Sequence, residues 1–79
     1  MTPEQFNGLT KNSQEKMLRL AAVLLDSIEK GTERECLFQL EGFYVTAYCR
    51  LEDNYIFHYC AFDEVDALDR YLERIRIDL

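Results

Sequence analysis

The chain has 79 residues, 15 acidic and 9 basic, with a formal net charge of −6, which fits one small domain over residues 1–79. This charge repels phosphate backbones, so we expect no binding to nucleic acid. The longest apolar run, Leu20–Leu25, is far shorter than the ~20 residues that span a bilayer, so we expect no membrane segment.

The N-terminal residues carry the signals of a short helix. Thr2 can act as its N-cap, Pro3 suits the first helical position, and Gln5 stands where a capping box needs Glu or Gln. Gly8 is expected to end this first turn.

Residues 11–30 predict a second, much longer helix. Asn12 or Ser13 would cap it and Gly31 would stop it. Its apolar residues recur at three- and four-residue spacing, namely Met17, Leu20, Ala21, Leu24, Leu25 and Ile28. Leu18, Ala22 and Val23 widen this apolar face, so we expect the helix to contact another element or another subunit.

Beyond residue 34 the apolar period changes from 3.6 to 2, which predicts strands. We expect strands over Glu35–Leu40, Phe43–Leu51 and Tyr55–Phe62, with a turn or a bulge at Glu41–Gly42 and a hairpin turn at Glu52–Asn54.

Asp63 then caps a predicted closing helix with a buried stripe of Val65, Leu68, Leu72 and Ile75. The alternation in residues 75–79 fits either a short added strand or a frayed end. The predicted fold class is α+β in the order α-β-β-β-α. A three-stranded antiparallel meander carries the long N-terminal helix and the C-terminal helix on one face.

Two registers remain open for the third strand. A two-residue turn at Asp53–Asn54 pairs Cys49 with His58 and puts Ile56, His58 and Cys60 on the core side. A three-residue turn pairs Cys49 with Phe57 and puts Phe57, Tyr59 and Ala61 inward instead. The second register is favoured, because an unpaired buried imidazole costs a few kcal/mol.

In the favoured register the outward face carries a candidate binding surface. Tyr and His beside isolated apolar groups are typical of protein interfaces. The binding residues predicted for this interface or ligand face are Tyr44, Tyr48, Arg50, Ile56 and His58. The alternative register would align Cys49, His58 and Cys60, three ligand types that zinc accepts, although a closed zinc site needs a fourth ligand.

Neither a catalytic centre nor a metal or cofactor site is predicted. Three cysteines without CxxC spacing, and an N-terminus without secretory features, indicate reduced thiols in the cytoplasm. We therefore expect a small cytoplasmic protein-interaction or structural domain without enzymatic activity. It would form a homodimer through its sheet face or its long helix, residues 11–30, and its acidic surface also suits a basic protein partner. The alternative is a small-molecule or peptide-binding module. Its pocket would lie between the long helix and the sheet, with Tyr44, Tyr48 and His58 as polar groups.

Overall fold

The computed structural model describes residues 1–63, which form two short helices and a four-stranded antiparallel sheet. The elements are α1 (Pro3–Asn7), α2 (Lys11–Ala21), β1 (Val23–Lys30), β2 (Glu33–Leu40), β3 (Phe43–Arg50) and β4 (Ile56–Phe62). The strands lie side by side in chain order, so the predicted α+β class and antiparallel meander are confirmed. The predicted C-terminal helix and the segment 75–79 lie outside the described residues. Within residues 1–63, neither helix has the length and apolar character needed to cross a membrane.

The predicted long helix is wrong, because its second half is a strand. Helix α2 starts after Thr10, whose hydroxyl accepts a hydrogen bond from the Ser13 N–H at 3.2 Å, so neither Asn12 nor Ser13 is the cap. The helix ends at Ala21, and Ala22 is already extended. Val23–Lys30 then pairs with β2 along most of its length, so the sheet has four strands instead of three. Main-chain pairing with β2 therefore overrides the helix propensity of this segment.

Two tight turns join the first three strands. Gly31 has a φ of 60° between Lys30 and Glu33, which pair across the turn, so this glycine closes a hairpin instead of stopping a helix. The turn at Glu41–Gly42 was predicted and is confirmed, with Leu40 and Phe43 paired on either side. Strand β2 begins two residues earlier than predicted, at Glu33.

Helix α1 provides hydrogen-bonding groups to the edge of β4 that faces away from β3. Its predicted capping box is present, and Gly8 follows its last residue as expected. The side-chain amide of Asn7 donates to the Ala61 carbonyl at 3.0 Å and accepts from the Ala61 N–H at 2.8 Å. This pair of bonds imitates one step of a neighbouring strand and satisfies main-chain groups at the sheet edge.

The core lies between the two helices and one face of the sheet, which we call the core face. Phe6 and Leu18 pack there against strand residues, namely Leu40, Phe43, Val45, Ala47, Tyr59 and Ala61. Leu20, expected in the buried stripe, is exposed instead. The buried side of α2 is therefore rotated from the predicted one, since the predicted stripe assumed that residues 24–28 continued the helix.

Burial in this core raises the pKa of the Tyr59 phenol, with a smaller contribution from Glu15. The unfolded chain ionises this group near pH 10, whereas the folded chain holds its proton to higher pH. Its stabilising contribution is therefore complete below about pH 10 and is lost as the pH rises through the folded pKa. We expect the free energy of unfolding to fall less steeply above about pH 10 in Tyr59→Phe than in the wild type. Urea unfolding of both proteins across this range measures the two slopes. Equal slopes for Tyr59→Phe and the wild type would contradict the assignment.

Candidate functional site

The sheet face opposite the helices, here called the outer face, carries most of the predicted binding residues. Strand pairing places on it Glu35, Leu37, Gln39, Tyr44, Thr46, Tyr48, His58, Cys60 and Phe62. Tyr48 lies beside His58, with 5.6 Å between the ring centroids, and Tyr44 stacks on Phe62 at 6.1 Å. Three of the five predicted residues, Tyr44, Tyr48 and His58, therefore share this face.

The register of β4 agrees with the favoured alternative over most of the strand. Tyr48 pairs with His58 and Ala47 with Tyr59, as the three-residue turn requires. A bulge then shifts the pairing, so that Cys49 lies opposite Ile56 and Phe57 becomes the extra residue.

This bulge overturns two predicted orientations. Ile56 packs against the core and is not part of the outer face, whereas Phe57 is 41% exposed and not buried. An added residue reverses the alternation of side chains, which is why Ile56 and Phe57 exchange positions.

Arg50 lies at the end of β3 and belongs to the β3–β4 turn. Its guanidinium pairs with the Asp53 carboxylate at 2.8 Å and lies over the Tyr55 ring, 4.9 Å from the centroid. A hydrogen bond from the Tyr55 N–H, supported by Arg50, lowers the pKa of Asp53. Arg50 therefore pairs with a residue of the adjoining turn, and it lies at the opposite end of β3 from Tyr44.

The three cysteines are free and the sheet separates them. Cys36 and Cys49 lie on the core face, whereas Cys60 lies on the outer face with His58. The two-residue register that would align Cys49, His58 and Cys60 is therefore not adopted. Within residues 1–63, no group of three or more His, Cys, Asp and Glu side chains is placed to hold a metal ion.

A concavity of about 500 Å³ lies between the start of α2 and the β3–β4 turn. The Lys11 ammonium lies over the Tyr55 ring there, 3.7 Å from its centroid. Its lining residues are Lys11, Asn12, Glu15, Asp53, Asn54, Tyr55, Ile56 and Tyr59. Since Tyr44, Tyr48 and His58 are not among them, this concavity is not the predicted ligand pocket.

Sequence reasoning missed an apolar surface at the start of β1. We call it the β1 surface. It consists of Leu20, Val23, Leu24 and Leu25, whose side chains are 74%, 60%, 55% and 45% exposed. β1 is the first strand of the sheet and pairs with β2 on one side. The Gly31 turn was the signal that could have identified this strand, since glycine with positive φ is common in two-residue hairpin loops.

Within residues 1–63, the candidate interaction sites are the sheet edges, the outer face and the β1 surface. Comparison with protein-family models, with curated proteins and with solved structures finds no significant match to the chain.

Proposed function

We propose that this chain is a small protein-interaction domain without enzymatic activity that forms a homodimer through the β1 surface. The observation that carries the proposal is the exposure of Leu20, Val23, Leu24 and Leu25 together at the start of an edge strand. Val23 pairs with Gln39 and Leu24 with Phe38, so these two side chains lie on opposite faces of the sheet, and what the group shares is the start of β1. Single exposed apolar residues are ordinary, but several beside one strand at the end of a sheet favour association along that strand.

Charge favours a second copy of the chain as the partner. Two chains with a net charge of −6 repel each other wherever acidic surfaces meet. The β1 surface contains no charged side chain, so its four residues add no like-charge contact, and the Asp26 and Glu29 carboxylates lie further along β1. A basic partner would instead be attracted to the acidic residues elsewhere on the chain.

An edge strand adds main-chain hydrogen bonds to this apolar contact. A symmetric dimer brings the same patch of both copies together. Antiparallel alignment of the two β1 strands would pair their outer main-chain groups and bury the leucines of both copies. A domain of this size gains stability from such an interface, because its own core is small.

The proposed cytoplasmic location rests on the thiols. Cys36, Cys49 and Cys60 are all free, which suits a reducing compartment.

Sedimentation equilibrium at tens of micromolar tests the dimer. We expect the wild type to dimerise and Leu24→Asp to be monomeric, since a dimer would bury two unpaired carboxylates, at several kcal/mol each. Phe57→Asp is the matched control, because it introduces the same charge at an exposed aromatic residue on β4. A monomeric wild type, or a Leu24→Asp dimer as tight as the wild type, would reject the proposal.

The Tyr48→Glu variant tests in the same assay whether the outer face takes part in dimerisation. If the β1 surface is the interface, Tyr48→Glu should leave dimerisation unchanged while Leu24→Asp abolishes it. Loss of the dimer in Tyr48→Glu alone would place the interface on the outer face instead.

A further inference from the structure

The edge of β4 that faces away from β3 presents main-chain groups beside the two helices. Asn7 bonds to the Ala61 N–H and carbonyl on this side. Since main-chain groups point the same way at every second residue of an antiparallel strand, the Tyr59 N–H and carbonyl face this edge as well. Apart from strand pairing, no hydrogen bond within residues 1–63 uses these two groups of Tyr59. One step of this edge is therefore open to a second strand.

Tyr59 also lines a concavity of about 220 Å³ between this edge and the helices. The other residues that line it are Asn7, Leu9, Lys11, Gln14, Phe57 and His58. None of them carries a carboxylate, although the net charge of the chain is −6. Phe57 is exposed and offers an apolar contact at this edge. The concavity thus combines apolar surface, two side-chain amides and a cation.

The cation of this concavity, Lys11, has no ion-pair partner within residues 1–63. Two carboxylates share the neighbouring concavity with it, but both are already paired. The Glu15 carboxylate pairs with Arg19 at 2.8 Å. The Asp53 carboxylate pairs with Arg50 at the same distance. A carboxylate from another molecule can therefore pair with the Lys11 ammonium without displacing an internal ion pair.

We propose that this site binds an extended peptide segment of another protein that carries an aspartate or glutamate side chain. The segment would add to β4 as a short strand, exchange hydrogen bonds with the Tyr59 main chain and place its carboxylate against Lys11. A segment that stops at Asn7 leaves the bonds to Ala61 intact. The open main-chain step favours a peptide over a small carboxylic acid, and the unpaired ammonium favours an acidic peptide over a neutral one. The site lies at the opposite edge of the sheet from β1, so it does not depend on the proposed dimer.

Binding at this site should be weak and should depend on the local charge. One strand step and one exposed ion pair each contribute little free energy, so we expect an affinity in the millimolar range. The net charge of −6 opposes the approach of an acidic peptide. Physiological salt screens this repulsion beyond about 8 Å and acts less on a contact ion pair, so the assay belongs at that ionic strength.

Two-dimensional NMR of the isotope-labelled full chain tests the site with the peptide acetyl-Thr-Val-Glu-Val-Thr-amide. Its β-branched residues favour an extended conformation. We expect the Tyr59 amide signal to shift progressively at millimolar peptide. The same peptide with glutamine in place of glutamate should bind about threefold more weakly. An unmoved Tyr59 signal, or equal binding of the two peptides, would overturn the proposal.

The Lys11→Gln variant tests the role of the cation. Lys16→Gln is its matched control, because Lys16 is exposed on the same helix and does not line the concavity. We expect Lys11→Gln to bind the glutamate and glutamine peptides equally, and Lys16→Gln to keep the wild-type preference. If both variants lost the preference, it would come from the net charge of the chain, and Lys11 would be rejected as the binding residue.

N-methylated peptides test whether the peptide adds as a strand. Successive N–H groups of an added strand point alternately towards the β4 edge and away from it. A methyl group on the glutamate nitrogen and one on the nitrogen of the valine that follows should therefore differ in effect. One of these two peptides should lose binding and the other should keep it. Equal loss or equal retention in the two would reject pairing with the Tyr59 main chain.

Discussion

Phe6→Ala should lower the free energy of unfolding by about 3–5 kcal/mol, the largest effect expected in this chain. Phe6 is fully buried, and its ring meets Phe43 and Tyr59 edge to face, with centroids 6.2 Å and 6.4 Å away. Removal of the ring leaves a cavity between α1 and the sheet, since a five-residue helix has no other buried side chain to hold it. A domain of this size has a total stability of about 4–12 kcal/mol, so much of it would be lost.

Urea unfolding followed by far-UV circular dichroism measures this effect. Phe57→Ala is the control, because Phe57 is an exposed phenylalanine that lies outside the core. We expect a large fall in the urea midpoint for Phe6→Ala and a small one for Phe57→Ala. Similar midpoints in the two variants would show that α1 is not anchored by Phe6.

Leu18→Ala should cost about 2–4 kcal/mol, whereas Leu20→Ala should cost less than about 0.5 kcal/mol. The two residues lie on the same helix, but Leu18 belongs to the core cluster and Leu20 is mostly in solvent. Because both variants carry the same substitution in the same helix, the difference between their free energies of unfolding reports the effect of burial. It also distinguishes the structure from the long helix predicted from sequence, in which Leu20 belongs to the buried stripe.

Thermal and urea unfolding of both variants should be measured at protein concentrations below those that support a dimer. At higher concentrations Leu20→Ala would also weaken association through the β1 surface, and the two effects would mix. A greater loss of stability in Leu20→Ala than in Leu18→Ala would contradict the described core.

The sequence predicts the last three of the four described strands well and the first strand poorly, for a physical reason. β3 and β4 are rich in aromatic and β-branched residues, and the alternation of apolar and polar residues in β2 and β3 marks their buried side. β1 has leucine, glutamate and lysine, which favour helices, and its apolar residues continue the spacing of α2. Only pairing with β2, a contact between segments that propensity does not describe, makes it a strand. The β1 surface could not be found while this segment was assigned to a helix.

The prediction of single binding residues is limited in the same way, because local sequence patterns do not describe how strands pair. Alternation along β3 placed Tyr44 and Tyr48 on the outer face, and the turn argument placed His58 beside them. Ile56 was misplaced by a single bulge at Phe57, which period-two reasoning does not anticipate. Arg50 is predicted to belong to the binding face, but its ion-pair partner, Asp53, lies in the adjoining β3–β4 turn.

The hydrogen bonds of Asn7 to Ala61 make the two edges of the sheet unequal, with consequences for assembly size. If both edges accepted strands, copies could add to either end of a growing sheet, and the product would be a fibre. Asn7 occupies one residue step of the β4 edge, at Ala61, so a strand that added along β4 would first have to break these two hydrogen bonds. In the proposed dimer, the Asn7 amide would therefore disfavour growth beyond a pair by strand addition at Ala61.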